Sequence, residues 1–235
     1  STPIKSSAAS DVYKRQTLDV LRDFSVSIEE TSSGYKIKAP QKYIEPDSPR
    51  VQGDWSNAAF FLCAGALGGK TEITGLSLDS RQSDRALTDI LKAFGADIKC
   101  GSSVSVCKSE LFGITVDISQ CPDLFPTLAV TACAAHGDTV FTNAARLRIK
   151  ESDRIEAVEK MITSLGGFAE STPDSLTVHG TGTLAGGEVN SFNDHRIVMA
   201  AAVAACICES PVVIRDAQAV NKSCLLYTSP SPRDA

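Results

Sequence analysis

Two kinds of helical segment alternate along the chain, and their hydrophobic positions distinguish them. Three segments are apolar on every face and follow an aspartate at position 54, 123 or 194. A helix that is hydrophobic all round is buried, so we predict three buried helices and interpret each aspartate as a candidate N-cap. The segments are GDWSNAAFFLCAGALGGKTEITG, CPDLFPTLAVTACAAHGDTVFTN and FNDHRIVMAAAVAACICESPVVI.

The other segments are apolar on one face only. TLDVLRDFSVSIE, LTDILKAFGADIK and IEAVEKMITSLGGFAE each combine helical spacing with a glycine or serine stop and an alternating strand. The two sets interleave with a period of about 70 residues, which is typical of a repeated supersecondary unit. The pattern predicts an α/β fold whose unit is a strand, a buried helix, a strand, an amphipathic helix and a hairpin around a helical centre.

Both ends of the chain lack this pattern. Residues 1–16 and 224–235 resemble translated sequencing-adaptor read-through. We therefore expect a non-native, disordered leader at 1–16 and a non-native tail at 224–235. Genuine flexible termini are the alternative.

Composition narrows the classes of ligand and partner. A net charge of -5 argues against nucleic-acid or anionic-membrane partners, so any anion site is local. The eight cysteines and three histidines lack metal-ligand spacing and favour a reducing cytoplasm. No stretch approaches the ~20 apolar residues of a membrane span. The stretch GTGTLAGG at 180–187 lacks the context of a dinucleotide site, so we predict a loop there and no cofactor.

Charge is concentrated in RLRIKESDRIEAVEKM at 146–161, where an amphipathic helix begins. Cations at that end cost about 0.3–1 kcal/mol unless an anion compensates. RQSDRALTDIL at 81–91 is an internal copy, so the shared Ser-Asp pair is most simply capping. Because the second copy adds Lys150 and Glu151, we interpret these residues as an anion site with a proton carrier beside it. A solvated charge cluster is the alternative.

A second cluster, NDHR at 193–196, opens the third buried helix. Arg196 offers a planar fork for a carboxylate, and His195 is interpreted either as a hydrogen-bonding residue or as a proton shuttle. If the repeats stack with like ends together, these charged residues face one cleft. The predicted cleft residues are Asp123, Lys150, Glu151, Arg154, His195, Arg196 and Lys222.

These residues make the chain resemble the C-terminal half of the 3-phosphoshikimate 1-carboxyvinyltransferase family, also called EPSP synthases. GDWSNAAFFL, PDLFPTLAV, RLRIKESDR, FNDHRIVMA and AVNKS occur in the family's order within residues 17–223. The resemblance implies the inside-out α/β repeat fold of the enolpyruvyl transferase type. Residues 17–53 would then end an N-terminal lobe, and residues 54–223 would form an incomplete C-terminal lobe of a monomeric full-length protein.

The resemblance also implies a reaction. The enolpyruvyl group of phosphoenolpyruvate would pass to the 5-hydroxyl of shikimate 3-phosphate, releasing phosphate without a metal or organic cofactor. Asp123 would take the hydroxyl proton and bind shikimate 3-phosphate, Glu151 would handle the proton at the phosphoenolpyruvate methylene carbon, and His195 would lie beside the reacting centre. The other implied ligands are Arg146 and Lys150 for shikimate 3-phosphate, Arg154 and Arg196 for the phosphoenolpyruvate carboxylate, and Lys222 for its phosphate.

Three further expectations qualify this function. Because the family's first half is missing from the sequence, we expect the chain alone to bind substrate weakly and to turn over little or nothing. A UDP-N-acetylglucosamine enolpyruvyl transferase and a non-catalytic anion-binding remnant remain alternatives. An RNA-terminal phosphate cyclase is disfavoured by the acidic net charge.

Overall fold

The computed structural model describes residues 8–48 and 51–222, and its centre is helical. Three of the helices, α2, α4 and α6, pack against one another, and all nine residues of α4 are buried. The three predicted buried helices are confirmed. The helices are α1 (Ala8–Asp23), α2 (Trp55–Gly68), α3 (Leu87–Ala93), α4 (Phe125–Cys133), α5 (Arg154–Ser164) and α6 (His195–Ala204).

Small sheets surround these helices. A hairpin pairs β1 with β2, an antiparallel sheet has the order β3-β5-β4, a mixed sheet has the order β6-β7-β9-β8, and β10 pairs with β11 in parallel. The strands are β1 (Ile28–Thr31), β2 (Gly34–Ile37), β3 (Lys70–Thr74), β4 (Asp97–Cys100), β5 (Ser103–Cys107), β6 (Thr115–Asp117), β7 (Gly137–Thr142), β8 (Phe168–Ser171), β9 (Leu176–Gly180), β10 (Gly187–Asn190) and β11 (Val212–Arg215).

The predicted repeat unit is complete between residues 115 and 180, where β6, α4, β7, α5, β8 and β9 follow in order. β6 and β7 are parallel, so α4 is the crossover between them, and α6 connects β10 to β11 in the same way. The predicted hairpins follow α1, α3 and α5, and within the stretch at 180–187 residues 181–186 form the loop between β9 and β10. These predictions are confirmed.

Close approach explains the small residues on the buried helices. A Cβ added to Gly65 would lie 2.7 Å from Thr71 Oγ1 and 2.8 Å from Val106 Cγ1. Real Cβ atoms essentially never approach another atom so closely, so glycine lets α2 lie directly on β3 and β5. No helix within residues 8–48 and 51–222 combines the length and the apolar character needed to cross a membrane.

The N-terminal part of the structure differs from one expectation. α1 begins at Ala8, so the disorder expected for residues 1–16 is wrong for residues 8–16, whose helix continues into the amphipathic segment after Thr17. Residues 1–7, 49–50 and 223–235, including the predicted tail, lie outside the described residues. Residues 29–45 are exposed throughout. α1 itself contacts the rest of the chain through an ion pair in which Arg81 Nη1 lies 3.3 Å from Asp19 Oδ1. The domain boundaries remain predictions.

Candidate active site

The first turns of α2 and α6 lie at the same end of the helical centre as the turn before α4. Asp54 caps α2 by accepting hydrogen bonds from the backbone N–H groups of Ser56 and Asn57. Asp194 caps α6 by accepting one from the N–H of Arg196. The cap predictions for Asp54 and Asp194 are therefore confirmed.

Asp123 is not a cap, and that prediction was wrong. It belongs to a 3-10 turn, Pro122–Leu124, that runs directly into α4, and its carboxylate turns towards cations instead. Oδ1 lies 2.8 Å from Arg154 Nη1 and 3.5 Å from Lys150 Nζ. Oδ2 lies 3.4 Å from Arg196 Nη2, and the backbone oxygen of Asp123 accepts a hydrogen bond from Arg196 Nη1 at 3.1 Å.

These cations determine the charge state of Asp123. Burial alone would raise the pKa of its carboxyl, but the positive charges of Arg196, Lys150 and Arg154 outweigh burial and hold the pKa below its ordinary value. Asp123 is therefore ionised at neutral pH. An ionised carboxylate within reach of a bound hydroxyl group can accept its proton.

Arg154 is the first residue of α5 and is fully buried. Its Nε donates to Asp194 Oδ2 at 2.8 Å, and its Nη2 donates to Glu151 Oε2 at 2.5 Å. With the bond to Asp123, the guanidinium contacts three carboxylates. These protein carboxylates offset the unfavourable helix macrodipole at Arg154. The alternative of a solvated charge cluster is wrong for this residue, because the surrounding atoms exclude water from it.

Asp194 contributes more than the sequence analysis predicted. It is fully buried and accepts from Ser152 Oγ at 3.1 Å in addition to Arg154 and the backbone of Arg196. Burial alone would raise the pKa of Asp194, but the hydrogen bond and charge of Arg154, together with the other two donors, lower it. Asp194 therefore orients Arg154.

The motif SDR at 152–154 is only partly a capping motif. Asp153 caps α5 by accepting from the N–H of Glu156 at 3.1 Å, as predicted. Ser152 does not cap, because its hydroxyl donates to Asp194. Arg148 was missed by the sequence analysis: its guanidinium bonds Asp153 Oδ2 and the backbone oxygen of Pro173, both at 2.9 Å, and so holds this loop in place.

Glu151 and Lys150 form the more open edge of the cluster. The side chain of Glu151 is 42% exposed and that of Lys150 is 28% exposed. The side chain of Arg154, which lies between them and Asp194, is only 1% exposed. An incoming molecule can therefore reach Glu151 and Lys150 without displacing the buried groups. Together with Asp123, Arg154, Asp194 and Arg196, they form a cluster of three cations and three carboxylates, which we call the charged cluster.

His195 follows the cap of α6 and is 8% exposed. Its Nδ1 lies 3.8 Å from Asp194 Oδ1, too far for a hydrogen bond, and it has no hydrogen-bond partner among the described residues. Burial and the positive charge of Arg196 lower the pKa of the imidazole. His195 is therefore neutral at pH 7 and directly adjoins the charged cluster.

Like His195, two further predicted site residues lie outside the charged cluster. Lys222 Nζ donates to the backbone oxygen of Asn193 at 2.8 Å, which brings the lysine over the turn before α6. Arg146 is exposed in the 3-10 helix Ala145–Ile149 and forms no ion pair within the part of the chain that the structure describes. The structure thus brings Lys222 near the cluster and leaves Arg146 in solvent.

A cavity of about 710 Å³ lies beside the charged cluster. Its walls come from α1 on one side and from the starts of the buried helices on the other. Across residues 8–48 and 51–222, no group of three or more His, Cys, Asp or Glu side chains is arranged to hold a metal ion. The cavity wall includes two members of the charged cluster, Asp123 and Arg196, together with Asp54, Ser56 and Asp84.

The first copy of the motif, SDR at 83–85, also differs from its prediction. These residues lie in a 3-10 helix, Ser83–Ala86, and neither Ser83 nor Asp84 caps it. Asp84 is instead buried and accepts a hydrogen bond from Ser56 Oγ. The predicted caps at this position were wrong, because the helix begins earlier in the motif than it does in the second copy.

The chain is similar to enolpyruvyl transferases of known identity. The family model for EPSP synthase (3-phosphoshikimate 1-carboxyvinyltransferase) matches residues 1–228. The 3-phosphoshikimate 1-carboxyvinyltransferase of Clostridium novyi is 46% identical over 215 residues, covering 90% of this chain and 49% of the relative. That of Methanocaldococcus jannaschii is 36% identical over 225 residues, covering 94% and 51%. The chain spans about half the length of the curated relatives it matches.

Solved structures agree with this similarity. EPSP synthase from Acinetobacter baumannii superposes with a TM-score of 0.80 at 27% identity, covering 90% of this chain and 52% of that one. The enolpyruvyl transferase NikO from Streptomyces tendae superposes with a TM-score of 0.72 at 18% identity, covering 91% and 51%, which supports the fold alone. The inside-out α/β repeat fold is therefore confirmed.

Proposed function

The chain belongs to the EPSP synthase (3-phosphoshikimate 1-carboxyvinyltransferase) family, and on that premise we propose that it supplies one wall of an active site for enolpyruvyl transfer. The group would pass from phosphoenolpyruvate to the 5-hydroxyl of shikimate 3-phosphate, and phosphate would leave. The observation that carries this proposal is the convergence of Lys150, Arg154 and Arg196 on the carboxylate of Asp123. Fixed cations around an ionised base suit a reaction between two anionic substrates.

The proton steps are assigned to two carboxylates. Asp123 accepts the proton of the 5-hydroxyl group as its oxygen bonds to the central carbon of phosphoenolpyruvate. Glu151 gives a proton to the methylene carbon during this addition and takes one back when the carbon–oxygen bond to phosphate breaks. The ionised state of Asp123 and the partial exposure of Glu151 support these roles.

The substrate anions are assigned to the cations. Arg196 lines the cavity and is 13% exposed, so it is well placed to bind the phosphoenolpyruvate carboxylate. Arg154 joins it in binding that carboxylate, although Nε, Nη1 and Nη2 of Arg154 already donate to Asp194, Asp123 and Glu151. Lys150 binds shikimate 3-phosphate.

Three further assignments extend the same proposal. Lys222 binds the phosphate of phosphoenolpyruvate, and neutral His195 lies beside the reacting carbon, a placement that its contact with the cap of α6 supports. Arg146 binds shikimate 3-phosphate from its exposed position. We further propose a cytoplasmic, monomeric full-length protein that needs no cofactor and binds neither nucleic acid nor membrane, in keeping with the net charge of -5.

The test is a measurement of phosphate release. Because the chain spans about half the length of its relatives, it is assayed alone and fused behind the first half of the Clostridium novyi relative. We expect turnover only in the fusion. Glu151→Gln should lower its kcat by several orders of magnitude, whereas Glu156→Gln, an exposed residue of the next turn paired with Lys160, should leave it within about twofold.

The same assay separates the alternatives. Saturation by UDP-N-acetylglucosamine in place of shikimate 3-phosphate would show that the acceptor is wrong. A fusion that binds phosphoenolpyruvate and releases no phosphate with either acceptor would favour a non-catalytic anion-binding protein. A normal rate of phosphate release by the 235-residue chain alone would contradict the proposal of a single wall.

A further inference from the structure

Asp84 is a buried carboxylate that the proposed reaction does not use. It is 5% exposed, and Ser56 Oγ is its one side-chain hydrogen-bond donor among the described residues. Asp194, which is also buried, accepts from Arg154, Ser152 and the backbone of Arg196. A buried carboxylate with so few donors is costly when ionised. Its presence therefore calls for an explanation beyond packing.

Its location supplies that explanation. Asp84 and Ser56 lie on the cavity wall that also holds Asp54, Asp123 and Arg196. The charged groups that act on Asp84 come from each neighbouring element: Asp54 before α2, Asp123 before α4 and Arg196 on α6. Burial and then the negative charge of Asp84 are the largest causes of the raised pKa of the Cys121 thiol.

We propose that Asp84 is a positioning residue that acts through Asp123: its buried negative charge, held by Ser56 on the shared cavity wall, offsets the cations around Asp123 and keeps Asp123 a usable base. This inference rests on the proposed function of Asp123. Three cations stabilise the ionised form of Asp123 and so weaken it as a proton acceptor. A neighbouring anion opposes that effect, and the coupling is reciprocal, because each carboxylate raises the proton affinity of the other.

The coupling can be measured in the 235-residue chain without an activity assay. Burial and the charges of Asp123 and Asp54 raise the pKa of Asp84 to about 6, despite the hydrogen bond from Ser56 and the charge of Arg196. In a carbon-13 NMR titration, the Asp84 carboxyl signal is assigned by its loss in Asp84→Asn. Asp123→Asn should move its midpoint to lower pH, and Arg196→Gln should move it to higher pH. Asp138→Asn, at an exposed aspartate on β7 that pairs with His179, should leave it unchanged.

The outcomes of the titration are distinct. A fall in the midpoint in Asp123→Asn, with a rise in Arg196→Gln, supports the coupling. An unchanged midpoint in both variants overturns it, whether or not the chain forms part of an enzyme. Using two variants with opposite expected directions separates electrostatic coupling from a loss of folding, which would move the midpoint towards the ordinary aspartate value in both.

The second measurement is the pH profile of kcat in the fusion with the Clostridium novyi half. Asp84→Asn should lower kcat about tenfold, the equivalent of one pKa unit, with the KM for phosphoenolpyruvate within about twofold of the parent. Ser56→Ala removes the donor that stabilises ionised Asp84. The kcat of this variant should therefore be below that of the parent at pH 7 and equal to it near pH 9. Asp89→Asn, an exposed residue of α3, is the matched control.

These profiles distinguish the inference from its premise. If the role of Asp84 is purely structural, Ser56→Ala should lower kcat by the same factor at every pH. That result would overturn the inference. A fusion that is active, and equally active in Asp84→Asn across the pH range, would also overturn it while the proposed function stands. A fusion that is inactive in every form, with the NMR coupling present, would contradict the proposed function and leave the coupling of the two carboxylates supported.

Discussion

The Ser-Asp-Arg motif at residues 83–85 and its copy at 152–154 bury different members. In the first copy Asp84 is buried, and Arg85 is partly exposed without an ion pair among the described residues. In the second copy Arg154 is fully buried against three carboxylates, and Asp153 is partly exposed as a cap. Identical residues thus exchange their positions between the interior and the surface.

The difference follows from where each helix begins. In the first copy the last residue with an extended backbone before the helix is Gln82, so the whole motif lies inside a 3-10 helix that begins at Ser83. In the second copy the last residue with an extended backbone is Asp153, so α5 begins at Arg154. A shift of two residues in the helix start rotates the side chains by more than half a turn. A short motif therefore predicts a role only together with the position of the helix start.

The largest expected contrast is between the two arginines. Arg154→Leu leaves three carboxylates facing one another, one of them fully buried, and should lower the free energy of unfolding by about 3–5 kcal/mol. Arg85→Leu should change it by less than about 0.5 kcal/mol. Urea unfolding of the 235-residue chain measures both. Equal losses would contradict the different roles of the two copies.

The next contrast concerns the effect of Asp84 on how the free energy of unfolding depends on pH. Its folded pKa of about 6 lies above the ordinary value of 3.8, so the folded state holds its proton more tightly. Asp84 therefore lowers stability as pH rises from about 4 to 6, by about 3 kcal/mol once fully ionised. Asp84→Asn should become more stable relative to the parent over this range and remain so at pH 7. Urea midpoints at pH 4 and pH 7 test this, and a constant difference between the two proteins would contradict it.

A smaller effect is expected at the cap. Asp153→Ala removes the acceptor for the Glu156 N–H and the partner of Arg148, and should cost about 1–2 kcal/mol of unfolding free energy. Asp153→Asn preserves an N-cap side chain and should retain most of the stability. Thermal unfolding of both variants measures the difference. A loss as large in Asp153→Asn as in Asp153→Ala would attribute the role to charge and not to capping.

The smallest contrast is between the two serines. Ser152→Ala removes a hydrogen bond to buried Asp194 and should cost about 1 kcal/mol. Ser83 forms no capping bond, so Ser83→Ala should cost less than about 0.5 kcal/mol. The two variants are compared by urea unfolding under the same conditions. A larger loss at Ser83 would show that the first copy also uses its serine.

Part of the site was readable from the sequence. The charges at 150–154 and 193–196 were located correctly, because each precedes or opens a helix whose apolar pattern is strong. The role of Asp194 in orienting Arg154 was missed, because the two residues are 40 positions apart and periodicity carries no information on such a pair. The contribution of Arg148 was missed for the same reason, since its partners include a loop 25 residues away.

The sequence by itself determined the three buried helices, the repeated α/β unit and the loop at 180–187, because a helix that is apolar on every face is stable only inside a core and glycine-rich polar stretches connect elements. The tertiary structure alone decided which aspartates cap helices and which face cations. It also decided that Arg154 is neutralised by protein carboxylates. These outcomes depend on helix starts that shift by one or two residues and on charges brought together from distant repeats, and both are settled by packing of the core and not by local propensity.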